Sequence, residues 1–320
     1  MCGIFGVVYG PDALFGPEFA GQVVETLFRC SESRGKEAAG LAVHDGRTIN
    51  VLKQAGSVEQ FLAHPKYREV MDAALGAWGA TRHAGGHAPL AFTGHSRLVT
   101  NGAQTEGSNN QPVVVRGSVV IHNGIIVNER ALWERHPELV RHAEVDTEVL
   151  ANLLRKHFDA SRDIVWATRK TFSEIEGAAS VACFLDDLQN LLLATNTGSL
   201  FFVTNERKTF LAFASERFIL QRLLESAGVQ DTLGVCAIEQ IRAGNGLVVD
   251  LANVEMHSFN SLGGPVGDAP ERKLELATKK IAIVEHTKSG KDLRRCKKCI
   301  LPETYPFMDF DAHGVCRYCR

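Results

Sequence analysis

The chain has 320 residues, 45% of them apolar, with 35 Lys+Arg against 37 Asp+Glu and eight cysteines. That length suits about two domains of ~150 residues each, and a formal net charge of −2 excludes a strongly basic nucleic-acid binder or an acidic solvating tail as a description of the whole. No apolar run approaches the ~18 residues of a membrane span and no basic segment leads into an apolar core at the N-terminus, so the expected compartment is the cytoplasm, with no membrane partner.

In chain order, residues 4–8 read as a short buried strand, and residues 18–30 carry Phe19, Val23, Val24, Leu27 and Phe28 at helical spacing. Strands follow at 40–44 and 48–52, joined by the hairpin signal Asp45-Gly46. Residues 113–123 are rich in β-branched side chains and broken at Arg116-Gly117; Asp146 then reads as the N-cap of a helix whose apolar face is Val149, Leu150, Leu153 and Leu154. Strands return at 179–185, 190–195, 199–203, 209–214 and 246–251, interrupted by a helix at 215–226. Runs of strands flanked by helices point to stacked antiparallel sheets covered by helices, an α+β arrangement. Residues 261–270 form a Gly/Pro linker by composition, and 271–285 suit a charged helix. The expected division is a large domain at 1–260, a partly helical linker at 261–294 and a cysteine module at 295–320. No internal repeat is present.

Four of the eight cysteines, Cys296, Cys299, Cys316 and Cys319, stand in the last 25 residues as two CxxC pairs separated by sixteen residues. That spacing is a tetrahedral zinc signature: four thiolates at about 2.3 Å close a structural site. A thioredoxin-like redox motif fits less well, because the motif is doubled and no βαβ pattern surrounds it. Cys30, Cys183 and Cys236 read as small apolar core residues. Residues 286–320 hold eight Lys/Arg and four Asp/Glu, a local excess better suited to solvation or a protein partner than to nucleic acid.

The chain opens Met-Cys-Gly-Ile-Phe-Gly. Removal of Met1 would leave Cys2 with a thiol and a free α-amine, whose ordinary pKa of about 7.7–8.0 lets it act as the base for its own nucleophile. In order after it come Ser33-Arg34-Gly35-Lys36-Glu37-Ala38-Ala39-Gly40, Gly94-His95-Ser96-Arg97-Leu98-Val99-Thr100-Asn101-Gly102, Asn110-Gln111-Pro112, His122-Asn123-Gly124 and Glu144-Val145-Asp146-Thr147-Glu148. Singly, Arg97 suits a solvated surface, Asp146 a helix cap and Asn123-Gly124 a turn. Together and in order, they resemble the motifs of class II glutamine amidotransferase domains, the N-terminal-nucleophile glutaminases. Residues 212–216 and 241–246 resemble that family's later strands, so the likeness covers about the first 250 residues.

The resemblance implies a four-layer αββα N-terminal-nucleophile fold and L-glutamine as substrate. A glutamine pocket needs a cation for the carboxylate, an anion for the ammonium and an oxyanion site near the nucleophile. Arg97 suits the first and Asp146 the second; Asn123 and Gly124 suit the third, with a side-chain and a backbone N–H. By resemblance Thr100 lines the carboxylate end. Ala80-Thr81-Arg82-His83-Ala84 also resembles the carboxylate motif, and His83 with His87 suggests a metal pair; Arg97 is preferred because the later motifs follow it in the family's order and at plausible distances. Leu98 stands where an aromatic residue is common, and residues 85–93 read as an unfamiliar Gly-rich insertion. The tail, from Cys296 through Ile300-Leu301-Pro302-Glu303-Thr304-Tyr305-Pro306 to Cys316, resembles the segment that opens sugar amidotransferases of the lipopolysaccharide-biosynthesis type, in which an ATP-pyrophosphatase domain follows. Ser289-Gly290-Lys291-Asp292 is read as linker rather than a phosphate loop. The expected function is glutamine hydrolysis through a Cys2 thioester, with ammonia passed to an ATP-dependent synthetase domain or partner, ATP belonging there alone. The alternatives are a stand-alone amide hydrolase and a catalytically silent regulatory subunit.

Overall fold

Side-chain alternation along the first strand, β1 (Gly3–Tyr9), sets the architecture. Phe5, Val7 and Tyr9 join one buried cluster while Ile4 and Val8 join another, so the strand is covered on both faces. The computed structural model describes residues 2–10, 13, 15–86, 88–262, 278–286, 294–303, 305 and 307–320. The later strands are β2 (Ala38–His44), β3 (Thr48–Ala55), β4 (Leu90–Arg97), β5 (Val113–Val115), β6 (Ser118–Ile126), β7 (Gly177–Leu185), β8 (Asn190–Thr195), β9 (Leu200–Thr204), β10 (Phe210–Ala214), β11 (Ile238–Ile241), β12 (Asn245–Asp250), β13 (Met256–Asn260) and β14 (Lys280–His286). The helices are α1 (Pro17–Ser31), α2 (Val58–Leu62), α3 (Pro65–His83), α4 (Glu129–Arg135), α5 (Asp146–Ser161), α6 (Ile164–Glu174), α7 (Arg217–Leu224) and α8 (Val229–Leu233).

One sheet runs β11-β9-β10-β1-β4-β2-β3-β14 and the other β13-β12-β8-β7-β6-β5. Residues from α1, α2, α3, α7 and α8 share a core with the outer face of the first sheet, and residues from α4, α5 and α6 do so with the second. A third core, including Ile4, Val8, Val119, Ile121 and Leu193, fills the space between the sheets. The order is therefore helix, sheet, sheet, helix, the four-layer αββα arrangement. Among the described residues, no helix is long and apolar enough to cross a membrane.

Pairing registers place one end of the first sheet. Gly3 pairs with Ser96, Ala38 with both Arg97 and Ala55, and Gln54 with both Ala39 and His286. The start of β1 and the ends of β4 and β14 thus lie along the same sheet end. His286 stands four strand spacings from β1, about 19 Å at ~4.8 Å each.

Three expectations change. The charged helix expected over 271–285 is, in its described part, strand β14, paired in parallel with β3; Ile281, Ile283 and Val284 suit a strand edge, and residues 271–277 lie outside the described residues. The insertion read at 85–93 contributes 90–93 to β4, a central strand between β1 and β2. Its buried Leu90 and Phe92 alternate with Ala91 and Thr93, so a strand begins there despite the preceding glycines. Asp146 does not cap its helix: Val145 holds the N-cap position, and no side-chain cap is formed.

Candidate active site

Cys2 stands at the start of a pinned central strand. The Ile4 N–H donates to Ser215 Oγ at 3.2 Å and the Ser215 N–H to Ile4 O at 2.8 Å, which fixes the start of β1 against the end of β10. A Cβ on Gly3 would come within 2.9 Å of Ser31 O and 3.2 Å of Arg34 Cβ, so glycine is what lets the 32–34 turn close over the strand. The Cys2 Sγ lies 3.5 Å from Leu98 O. Burial pushes the Cys2 thiol above its ordinary value, against the lowering effects of that hydrogen bond, the N-terminal charge and Arg97. A thiol held up in this way is protonated at neutral pH and needs a base to become a nucleophile.

Arg97 ends β4 with its side chain 3% exposed. Its Nη1 donates to Asn110 Oδ1 at 2.7 Å and its Nη2 to Asn101 O and Gly102 O at 2.5 and 2.8 Å, so among the described residues three of the five guanidinium N–H groups fix its position. Asn110 in turn donates to Gln104 O at 2.7 Å. Asn109 exchanges hydrogen bonds with Glu144, from Nδ2 to Oε2 at 2.9 Å and from the Glu144 N–H to Oδ1 at 2.8 Å. The Asn109-Asn110 pair therefore ties the loop after β4 to the segment entering α5. Thr100 is exposed in that loop.

Asn123 and Gly124 lie on β6. A Cβ on Gly124 would overlap Ala178 O, so only glycine lets β6 and β7 meet there. Asn123 is 4% exposed, and its Oδ1 is buried without a hydrogen-bond partner among the described residues. The Gln111 side chain braces this strand, accepting the His122 N–H at 2.6 Å and donating to His122 O at 3.1 Å. Asp146 Oδ2 accepts the Ile126 N–H at 2.7 Å, and its Oδ1 lies 3.9 Å from His122 Nδ1; burial lowers the His122 pKa despite that carboxylate. The structure brings Cys2, Arg97 and Asp146 within electrostatic reach of one another. It leaves Arg82 elsewhere: at the end of α3, donating to Phe15 O at 2.5 Å and to Ala13 O, with its Cζ 4.5 Å from the Trp78 ring centroid. His87 lies outside the described residues.

Two neighbours go beyond the residues singled out from the sequence. Arg34 pairs with Glu216 at 2.6 Å beside the start of β1, and Glu37 accepts the Val99 N–H while its own N–H donates to Arg97 O at 3.1 Å. Both sit within the quoted 33–40 motif, which is the signal that could have found them. A broad cleft lined by Lys53, Val114, Leu139, Glu148 and Ile283 includes none of the expected site residues.

At the C-terminus, Cys296, Cys299, Cys316 and Cys319 gather with their sulfur atoms all within 4.8 Å of one another. The backbone N–H groups of Lys298, Cys299 and Cys316 reach Cys296 Sγ at 3.3, 3.5 and 3.3 Å. Burial opposes ionisation of Cys296, yet these donors bring it down to about 6. The donor set and its compactness fit one four-coordinate metal ion. All eight cysteines are free of disulfides.

Residues 95–222 match the family described as a glutamine amidotransferase domain. The chain is 30% identical over 225 residues to glutamine–fructose-6-phosphate aminotransferase of Streptomyces coelicolor, covering 68% of this chain and 32% of that protein. It is 26% identical over 215 residues to the enzyme of the same name from Sulfolobus acidocaldarius, covering 66% and 33%. The chain thus spans about a third of the length of these curated relatives. Glutamine phosphoribosylpyrophosphate amidotransferase from B. subtilis shares the fold with a TM-score of 0.58 at 19% identity, over 81% of this chain and 49% of that one. Sequence and fold agree: the chain carries a class II, N-terminal-nucleophile glutamine amidotransferase domain.

Proposed function

We propose that this chain is the glutaminase half of an amidotransferase, converting L-glutamine to glutamate and ammonia through a thioester on Cys2. With Met1 removed, the Cys2 α-amine takes the thiol proton as sulfur attacks the side-chain amide carbon. Asn123 Nδ2 and the Gly124 N–H stabilise the oxyanion. The C–N bond then breaks, the amine's proton goes to the leaving nitrogen, and water later opens the thioester. The Arg97 guanidinium receives the α-carboxylate, the Asp146 carboxylate receives the α-ammonium, and Thr100 lines the carboxylate end. The observation carrying this reading is that a buried cation and a carboxylate converge on an N-terminal thiol, the charge pattern an α-amino acid requires. Glutamate release by the mature protein, with Cys2→Ala as control, tests it.

We assign the ammonia to an ATP-dependent synthetase domain or partner; ATP binds there and not on this chain. Ammonia released into neutral water is protonated and no longer nucleophilic, so productive transfer needs an acceptor site close by. The chain supports this placement: β14 ends at the same sheet end as Cys2, and the seven residues before Arg294 reach at most about 25 Å at ~3.5 Å each. The four-cysteine module at 295–320 is therefore within reach of the site's rim. We read it as a zinc ribbon that docks the synthetase, with one zinc held by Cys296, Cys299, Cys316 and Cys319 in a structural role, in a reducing cytoplasm that suits eight free thiols. Glutaminase activity with and without a synthetase domain supplied in cis or in trans tests the coupling, which should raise the rate.

A further inference from the structure

Behind the nucleophile, the inner face of β4 carries a histidine that no step above uses. Ala91 of β4 packs in the core between the sheets while Leu90 and Phe92 pack under the helices. A Cβ on Gly94 would strike the ring of Phe5, on the helix side. Thr93, His95 and Arg97 therefore point between the sheets. On β6, which faces β4, Val119 and Ile121 belong to the same inner core, so Asn123 points inward too. His95 pairs in register with Ile4 and Gly40, two residues along the strands from Cys2 and from Arg97.

His95 and Thr93 are buried, at 0% and 1% exposure. Both His95 ring nitrogens, Thr93 Oγ1 and Asn123 Oδ1 lack hydrogen-bond partners among the described residues. Each such group is unfavourable if left unsatisfied, a cost that a leucine filling the same space would avoid. His122, equally buried, shows the ordinary arrangement: its ring reaches Thr147 Oγ1 at 3.2 Å and Ala178 O at 3.4 Å. Burial, with Arg97 and His122 nearby, keeps the His95 ring neutral, so it has one N–H donor and one acceptor nitrogen. Asn123 needs such a donor. Its amide serves an oxyanion only with Nδ2 turned to the substrate and Oδ1 turned away, and no described protein group fixes that orientation.

We infer that His95 is a positioning residue for the oxyanion site: through one ordered water shared with Thr93 Oγ1, its ring N–H holds Asn123 Oδ1 and keeps Nδ2 aimed at the reacting carbonyl. This rests on the glutaminase reading, which wild-type glutamine hydrolysis tests first and separately. The readout is the inhibition constant for glutamate γ-semialdehyde, whose aldehyde adds to the Cys2 thiol and places an oxygen in the oxyanion position, set against that for glutamate, which forms no such adduct. His95→Leu should lower kcat by up to about 10²-fold and weaken the semialdehyde by a similar factor. The KM for glutamine and inhibition by glutamate should stay within about threefold. His95→Gln, which restores a donor and an acceptor, should recover at least tenfold of the loss. Thr93→Val supplies the same measurement should His95→Leu fail to fold, with a smaller loss in the same direction. Equal weakening of semialdehyde and glutamate, or no weakening of either in a wild-type-active background, would overturn the assignment.

Discussion

Replacing Asn123 by alanine separates turnover from folding. The side chain is 4% exposed and its Oδ1 meets no protein partner among the described residues, while the backbone at 123 is held independently by its pairing with Ser180. Lost packing is offset by no longer burying an amide oxygen that has no direct protein partner among the described residues, so stability should change by no more than about 1 kcal/mol. That corresponds to a melting shift of a few degrees in a domain of this size. Turnover should respond far more. Loss of one of two oxyanion donors costs ~2.7–4 kcal/mol, or about 10²–10³ in kcat. The KM should move little, because in the proposed pocket Arg97 and Asp146, not Asn123, hold the groups whose charge does not change during amide attack. Steady-state glutamate formation and thermal melting on the same preparation decide the matter. A kcat within threefold of wild type, or a kcat loss matched by collapse of the melting temperature, would refute the reasoning.

Arg97→Ala should raise the KM for glutamine by about 10²-fold or more, since a charge-assisted pair is lost. Arg82→Ala should leave it unchanged and cost only stability, because its partners are Phe15 O, Ala13 O and the Trp78 ring; equal KM effects would reverse the choice between the two arginines. Metal analysis should find one zinc per chain, lost on replacing any two of the four clustered cysteines while glutamine hydrolysis persists, and activity restored to a chelated protein only by zinc would count against a structural role. Burial, with Lys279 nearby, depresses His44 from 6.5 to about 4 despite Asp45. The unfolded chain therefore binds the extra proton between those values, and stability is full above pH 6.5 and falls as pH drops toward 4, by about 3 kcal/mol at completion. Denaturant titrations at pH 7.5 and 5 should show a smaller acid loss in His44→Asn than in wild type; identical losses would exclude His44 as a source.

The residues proposed for the site and the fold around them rest on different signals. Cys2, Arg97, Asn123, Gly124 and Asp146 lie in short motifs that are informative only together and in order, whereas the fold depends on contacts between distant segments. Thr100 was placed by resemblance alone, and the structure shows only its exposed loop. Only the cap reading of Asp146 fails: Asp before an apolar face is a common helix start, but Val145 holds the N-cap position and the Asp146 carboxylate reaches across to the backbone of Ile126. β14 pairs with a strand more than 220 residues earlier, and nothing local in a charged segment announces such a contact. Residues 90–93 were obscured by Gly85-Gly86 and Pro89, which read as loop signals. In α3, Tyr67, Met71, Ala74 and Trp78 do form a buried stripe, but Gly76, Ala77 and Gly79 dilute its periodicity.

The most direct test of the central claim follows glutamine hydrolysis against intact mass. Preparations beginning at Cys2, preparations retaining Met1, and Cys2→Ala should be compared at equal concentration near pH 8, where about half or more of the α-amine is free base. The account predicts that activity scales with the fraction of chains beginning at Cys2 and vanishes in Cys2→Ala. Full activity in protein that retains Met1, or in Cys2→Ala, would contradict it.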